Sequence, residues 1–201
     1  MFGYDIKTLY HGSNVEVKRG DFSKSREDID FGIGFYLTED ERMAKKWACS
    51  RAKSILNCYT INLANLSTYQ FGLDEEWLLY IKANRIRGDG CEDILSKYSE
   101  YDVLIGPTAD DKLFDTVQLY IDGYISAEQT VQFLNVAGHS NQIVLKTEKA
   151  LDECHFLNSK EIFGGEKAEF IKWTRQDRIN ANKKLDELME KSGVKRRGVG
   201  L

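Results

Sequence analysis

The sequence of 201 residues is 42% hydrophobic and 30% charged, with a formal net charge of −4 at pH 7. That length suits one domain whose core needs neither disulfides nor a structural metal. The balanced charge excludes both a polybasic coat and a disordered acidic chain. No apolar run approaches the length of a transmembrane helix, and the first residues lack the pattern of a signal peptide. We therefore expect a folded, single-domain, cytoplasmic protein without membrane partners.

Cysteine and histidine are too sparse and too scattered to predict a metal centre. The cysteines are Cys49, Cys58, Cys91 and Cys154. No two of them form a CxxC pair, and no histidine stands at the spacing of a zinc ligand. We interpret them as reduced, mostly buried thiols of a reducing compartment, and we expect no metal. Histidine chemistry is restricted to His11, His139 and His155.

The first quarter of the chain predicts two strands and a helix. Residues 6–13 carry apolar side chains on both faces and stop at a Gly-Ser pair, which is typical of a buried strand entering a loop. Residues 14–30 are polar and indicate an exposed loop. The apolar run 33–37 predicts a second strand, and Thr38 or Asp40 is placed to cap the helix that follows.

The rest of the chain continues this mixture of short strands and helices. In chain order we predict a strand at 58–63, a helix at 74–85, a polar connection at 87–101, a buried strand at 101–107, helices at 113–121 and 126–135, a strand at 141–145 and a helix at 166–191. This pattern indicates one α+β domain. We assign residues 1–165 to that domain, 166–191 to a C-terminal helix packed on it, and 192–201 to a basic, disordered tail.

Three predicted strand ends carry unusual polar chemistry. They are Tyr10–Ser13, Phe31–Tyr36 and Asn141–Leu145. Taken singly, each has a structural explanation: a core histidine, a close backbone approach at glycine and a buried amide. The second segment lacks the third glycine of a dinucleotide-binding fingerprint and precedes a strand rather than a helix, which argues against a Rossmann domain.

Taken in order, these and neighbouring segments resemble a known constellation. The pieces are LYHGS, DFGIGFYLT followed by AKKWA, EEWLLYIKANR, YDVLIGPTADD and NQIVLKTEKAL. The pattern, from about residue 8 to about residue 156, resembles the ADP-ribosyltransferase superfamily. More closely, it resembles the diphtheria-toxin and poly-ADP-ribose-polymerase branch with its His-Tyr-Glu triad, and within that branch a bacterial and phage family of unknown function. The resemblance implies split antiparallel sheets that form an NAD cleft with flanking helices.

The resemblance assigns individual residues to NAD. His11 matches the triad histidine, which hydrogen-bonds the adenosine ribose, and Gly12 matches the glycine whose backbone holds the nicotinamide carboxamide. Tyr36 matches the triad tyrosine, which stacks on the nicotinamide, and Trp47 stands where a second aromatic closes the sandwich. The resemblance places two further residues beside NAD: Ser13 and Gly34.

Two positions depart from the pattern of the resembling proteins. Ala44 stands where polymerases have a serine that binds the carboxamide, so that contact is missing. Gln142 stands in place of the catalytic glutamate. Glutamine keeps a hydrogen bond to the ribose 2′-OH but lacks the charge that stabilises an oxocarbenium-like transition state, at a cost of about 2–4 kcal/mol. It also cannot act as a base, so we expect single transfer or impaired chemistry rather than chain elongation.

Two features of the sequence concern the acceptor, the molecule that would receive ADP-ribose. Asp110 and Asp111 follow the strand at 101–107 in a segment that recurs in the resembling family. The resemblance therefore implies that Asp110 or Asp111 orients the acceptor or acts as its base. Capping of a helix is the structural alternative, and the two roles can coexist. The net charge favours a protein acceptor over nucleic acid, because affinity for nucleic acid comes largely from phosphate neutralisation. Several proteins of the superfamily in bacteria and phages are toxins, so the resemblance also implies growth inhibition and a cognate antitoxin as partner.

Three functions remain open from the sequence. The leading prediction is an NAD-consuming mono-ADP-ribosyltransferase that modifies a macromolecule. The second is an NAD glycohydrolase, in which water is the acceptor. The third is a module that binds NAD, ADP-ribose or a partner protein without catalysis.

Overall fold

The described part of the chain folds into two β-sheets and seven α-helices. The computed structural model describes residues 6–88, 90–108, 114–137, 140–191 and 193. The strands are β1 (Ile6–Ser13), β2 (Phe35–Leu37), β3 (Ile55–Asn62), β4 (Thr68–Gln70), β5 (Val103–Pro107), β6 (Asn141–Leu145) and β7 (Cys154–Glu161). The helices are α1 (Glu41–Cys49), α2 (Glu75–Ile86), α3 (Glu92–Ser96), α4 (Phe114–Ile121), α5 (Ala127–Ala137), α6 (Glu148–Asp152) and α7 (Gly164–Lys191). The architecture is therefore that of a small α+β domain, as predicted.

The two sheets have different strand orders and meet at one backbone bridge. The first sheet is antiparallel with the order β1-β3-β7. The second has the order β2-β6-β5-β4, in which only the short edge strand β4 runs parallel to its neighbour. Tyr10 of β1 and Thr38, which follows β2, form an isolated antiparallel bridge between them. This bridge holds the ends of β1 and β2 side by side.

The apolar side chains on both faces of the second sheet are buried, each face in its own cluster. One cluster joins the two sheets and contains Leu9, Tyr59 and Ile61 from the first and Phe35, Leu37, Ile143 and Leu145 from the second. A second cluster packs α2 on the opposite face of the second sheet, through Val144, Leu104 and Trp77 among others. Four residues of α2 are buried in this second cluster: Trp77, Leu78, Tyr80 and Ile81.

The structure corrects several predicted boundaries. The second strand begins at Phe35 rather than residue 33, because the preceding residues form a turn that is hydrogen-bonded to other segments. Asp40, not Thr38, caps α1, since its carboxylate accepts from the N–H groups of Arg42 and Met43. The predicted polar connection at 87–101 contains the short helix α3. Strands β4 and β7 and helix α6 had no counterpart in the prediction.

The last helix spans two separate clusters of the domain. Its first half contributes Phe170 to the cluster around Ala44 and Ala48 of α1. Its second half buries Leu185 and Met189 against the cluster that contains Phe133 of α5. The predicted tail at 192–201 lies outside the described residues except for residue 193. No helix in the described ranges combines the length and apolar character needed to cross a membrane.

Candidate functional site

The ladder between β1 and β2 stops after a single pair of residues. The N–H of Tyr10 donates to the Thr38 carbonyl at 2.8 Å, and the Thr38 N–H donates back at 3.0 Å. In this antiparallel register the next pair would join Gly12 to Tyr36, but these residues form no backbone bridge. The two strands therefore separate at this point. We call the gap between Gly12 and Tyr36 the fork.

His11 explains why the ladder stops. Its Nδ1 lies 2.8 Å from the carbonyl oxygen of Tyr36, the group that the Gly12 N–H would otherwise reach. The His11 ring also packs at 4.9 Å, centroid to centroid, against Phe35. Because a carbonyl only accepts, the His11 Nδ1 carries the proton, and in the neutral ring Nε2 is an acceptor.

Several effects set the protonation of His11. Burial lowers the pKa of His11 below its usual value of 6.5, the hydrogen bond to the Tyr36 carbonyl raises it, and the positive charge of Arg51 lowers it again. The net direction is downward, so the ring is neutral at pH 7. The structure thus brings the neutral His11 ring next to the Tyr36 backbone, two residues that the resemblance assigns to one site.

Gly12 offers two backbone groups at the fork. Tyr10 uses its N–H and C=O on Thr38, away from β3, and in an extended strand Gly12, two residues on, directs its own groups the same way. These groups make no hydrogen bond to another described residue. A Cβ at Gly12 would lie 2.0 Å from the Ala44 carbonyl oxygen and 2.6 Å from the Ala48 nitrogen. Only glycine therefore allows α1 to pack on β1 here.

Tyr36 is fixed by its hydroxyl group. The hydroxyl donates to the Gly32 carbonyl at 2.6 Å and accepts from the Phe31 N–H at 3.2 Å. Burial, and to a lesser degree the negative charge of Asp30, raises the pKa of Tyr36 far above its usual value. The phenol is therefore protonated throughout the physiological range and holds a single orientation.

Gln142 lies on the same face of the second sheet as Tyr36. Tyr36 pairs with Val144 of β6, and residues two apart in a strand share a face. The Gln142 side chain is 4% exposed, and its Nε2 donates to the Pro107 carbonyl at 3.2 Å. The Trp77 indole donates to the same oxygen at 3.2 Å. No described residue donates to the Gln142 Oε1, which is left with its acceptor capacity unused.

Other predicted site residues have internal roles in the structure. The Ser13 hydroxyl is buried and bonded to the Val15 backbone and, at 3.1 Å, to Asn57 Nδ2. Close packing explains the glycine at position 34, since a Cβ there would lie 2.4 Å from Val144 Cγ1. Trp47 is half-buried on α1. The predicted acceptor-orienting residues Asp110 and Asp111 lie outside the described residues.

Arg51 is a residue that sequence reasoning missed. It lies in the loop at 50–54 between α1 and β3, and its side chain is exposed. The ammonium of Lys167 fixes this loop by donating to the carbonyls of Arg51 and Ala52 at 2.7 and 2.6 Å. The Arg51 guanidinium forms no ion pair with a described residue, and its positive charge lowers the pKa of His11. Nothing in the local sequence distinguishes Arg51 from other surface arginines.

A polar pocket lies beyond the Tyr10–Thr38 bridge. It has a volume of about 270 Å³ and is lined by Lys7, Thr38, Glu39, Asp40, Gln70, Ile105, Ser140, Asn141 and Ile143. Lys7 pairs with Glu39 at 2.7 Å, and the Ser140 hydroxyl donates to Asp40 at 2.8 Å. None of the predicted triad residues lines this pocket.

Comparison with known proteins gives a family but no activity. Residues 7–156 match a family model described as "Protein of unknown function (DUF3990)", and the chain therefore belongs to this family. No curated protein and no solved structure matches the chain. Within the part of the chain that the structure describes, no group of three or more His, Cys, Asp or Glu side chains is placed to hold a metal ion.

Proposed function

We propose that the protein is an NAD-dependent mono-ADP-ribosyltransferase that releases nicotinamide and modifies a macromolecular acceptor. The observation that carries the proposal is the fork. The His11 ring is hydrogen-bonded to the Tyr36 carbonyl, so this carbonyl does not pair with Gly12 in the ladder. The Gly12 N–H and C=O therefore lie beside the Tyr36 strand without that partner. Two residues of the triad pattern, His11 and Tyr36, and the matching Gly12 border this one gap, which supports the proposal.

The chemistry of the fork suits the nicotinamide end of NAD. A carboxamide has an N–H₂ donor and a carbonyl acceptor, and Gly12 offers one acceptor and one donor in the same direction. The nicotinamide ring of NAD is cationic, so stacking on Tyr36 and Trp47 would contribute about 0.5–2 kcal/mol for each face. The fixed Tyr36 hydroxyl keeps its ring from turning away.

His11 and Arg51 suit the remainder of the dinucleotide. The His11 Nε2, free of a proton, accepts a hydrogen bond from a ribose hydroxyl. The Arg51 guanidinium, with no carboxylate partner among the described residues, supplies positive charge for the diphosphate. Both groups stand at the end of β1, so we assign the diphosphate and adenosine ribose to this side of the fork.

Gln142 suits the ribose from which nicotinamide departs. In the reaction the bond from C1′ to the nicotinamide nitrogen breaks, the electron pair leaves with the nicotinamide, and the acceptor attacks C1′ while losing a proton. The Gln142 Oε1 accepts from the ribose 2′-OH and orients the ring, but it adds no negative charge beside the oxocarbenium-like centre. The tie to Pro107 holds the amide in this orientation.

A non-catalytic NAD-binding module is the second candidate function. The observation that favours it is the amide at position 142, whose nitrogen is held by Pro107 and which can neither carry charge nor take a proton. An NAD glycohydrolase is the third, in which water attacks C1′. All three functions place NAD at the fork and differ in the fate of NAD once it is bound.

Nicotinamide release from NAD, measured with and without bacterial lysate, distinguishes these functions. Release that needs lysate supports transfer, release without lysate supports hydrolysis, and saturable binding without release supports the module. His155, an exposed histidine on β7, gives the matched control: His155→Ala should behave like the parent while His11→Ala loses activity. Mass spectrometry of lysate proteins and RNA after incubation with labelled NAD then identifies the acceptor.

Calorimetry of NAD binding tests the placement of the nicotinamide. Tyr36→Ala should weaken NAD binding by about tenfold or more, because it removes a stacking face and frees the turn before β2. Tyr124→Ala, at a tyrosine that is 54% exposed, is the control for a simple loss of an aromatic residue. Equal NAD affinity of Tyr36→Ala and the parent would show that NAD lies elsewhere.

A further inference from the structure

The turn Phe31–Gly34, directly before β2, is held by a lysine from another strand. Lys146, the residue after β6, donates from Nζ to the Phe31 carbonyl at 2.6 Å and to the Ile33 carbonyl at 2.5 Å. Its side chain also lies along Gly34, where a Cβ would come within 3.5 Å of the Lys146 Cδ. One ammonium group therefore binds two carbonyls of the same turn.

The same turn orients Tyr36. The carbonyl of Gly32, between the two that Lys146 binds, accepts from the Tyr36 hydroxyl, and the Phe31 N–H donates to that hydroxyl. The Gly34 N–H donates to the Ser25 hydroxyl at 3.0 Å. A shift of the turn would thus move the group that fixes the Tyr36 ring.

Lys146 is a partly buried cation without a carboxylate partner among the described residues. The charged groups on the neighbouring segments are paired with one another: Asp30 with Arg85, Glu27 with Arg87, and Asp102 with Lys149. The desolvation of Lys146 is compensated only by hydrogen bonds to neutral carbonyls. A cation held in this way at a turn indicates a specific role for that turn.

We propose that Lys146 is the positioning residue of the nicotinamide site, and that it acts by holding the turn whose carbonyl orients Tyr36. This inference rests on the proposed function. Lys146 does not touch the substrate, since its Nζ is engaged by the two carbonyls behind Tyr36. Its protonated form binds the carbonyls more strongly than the neutral amine does, because charged donors make stronger hydrogen bonds.

The charge of Lys146 changes within an accessible pH range. Burial lowers the pKa of Lys146 from 10.5 to about 8, and the positive charge of Arg87 contributes in the same direction. As pH rises through about 8, the ammonium loses its proton and the hold on the turn weakens. NAD affinity should therefore decrease on the alkaline side. An arginine at this position would stay protonated over the same range.

The test compares Lys146→Arg and Lys146→Met with the wild type, and Lys160→Met is the control at an exposed lysine. NAD affinity is measured by calorimetry at about pH 6.5 and about pH 9.5, on either side of the Lys146 pKa. We expect wild-type and Lys160→Met affinities to fall severalfold at the higher pH. The Lys146→Arg affinity should stay constant, and Lys146→Met should bind about tenfold more weakly than wild type at the lower pH.

Two results would overturn the proposal. One is the same pH dependence in wild type and Lys146→Arg. The other is wild-type affinity in folded Lys146→Met. If folded wild type does not bind NAD at either pH, the proposed function fails. Amide hydrogen exchange in the apo protein then tests independently whether Lys146 holds the turn. Faster exchange of the Phe31 and Gly34 amides in Lys146→Met than in wild type then supports the hold on the turn, and equal exchange refutes it.

Discussion

The two sides of the Tyr10–Thr38 bridge differ in how their polar groups are used. On one side lies the polar pocket of about 270 Å³, in which Lys7 pairs with Glu39 and Ser140 with Asp40. On the other side lies the fork, where the Gly12 N–H and C=O have no partner among the described residues. The pocket is a well-defined cavity, but its charged groups already pair within its lining. We therefore base the proposed binding side on unused hydrogen-bonding capacity rather than on cavity volume.

Gly12→Ala should have the largest effect on stability, because a Cβ at this position does not fit between β1 and α1. The new Cβ would lie 2.0 Å from the Ala44 carbonyl oxygen, and backbone on both elements would have to move. We expect the free energy of unfolding, measured by urea denaturation, to fall by about 3 kcal/mol or more. Gly165→Ala, at a helical glycine with nothing within 4 Å, is the control and should leave stability unchanged or slightly higher.

His11 should be the most sensitive side chain on the fork side. His11→Ala should lower nicotinamide release by about 100-fold or more, which corresponds to about 2.7 kcal/mol of transition-state stabilisation. His11→Asn sharpens the result, since its amide N–H can still reach the Tyr36 carbonyl but no group replaces Nε2. Circular dichroism should show a native fold for His11→Asn together with lost activity. Full activity of His11→Asn would mean that the ring only holds β1 and β2 together.

Substitutions of Gln142 test the amide that lies on the same sheet face as Tyr36. Gln142→Ala should lower nicotinamide release by about tenfold, or about 1.4 kcal/mol. Gln142→Glu loses the donor to Pro107 and places a carboxyl beside that carbonyl oxygen, so burial should raise the pKa of the new glutamate. Its activity should then rise with pH as the carboxyl ionises. Parent-like, pH-independent activity in both variants would place Gln142 outside the site.

The pocket side should give the smallest effects. Gln70→Ala and Asn141→Ala each remove an exposed amide from its lining, and neither side chain has a hydrogen-bond partner among the described residues. NAD affinity and nicotinamide release should change by about twofold or less, as for ordinary surface substitutions. A larger decrease in NAD affinity for either variant would indicate that NAD binds on the pocket side of the Tyr10–Thr38 bridge rather than at the fork.

Sequence reasoning located β1, α2, β5, β6 and α7 because their apolar periodicity and caps are local signals. It missed β7, whose side chains are mostly exposed and which is fixed mainly by pairing with β3. It also missed β4, which has only three residues. The pattern placed His11, Tyr36 and Gln142 near one another, but it could not show that the His11 ring replaces Gly12 in the ladder. Arg51 and Lys146 were missed because the roles proposed for them depend on contacts across the fold.

The 28-residue helix α7 has a mechanical consequence for the site. At 1.5 Å per residue it is about 42 Å long. In its first half, Trp173 lies under the Arg42 guanidinium of α1 at 4.2 Å, and near its C-terminal end Leu185 and Met189 are buried. A rigid rod anchored in two clusters transmits displacement at one end to the other. Detaching its far end should therefore loosen α1, the helix that carries Trp47 and covers Gly12.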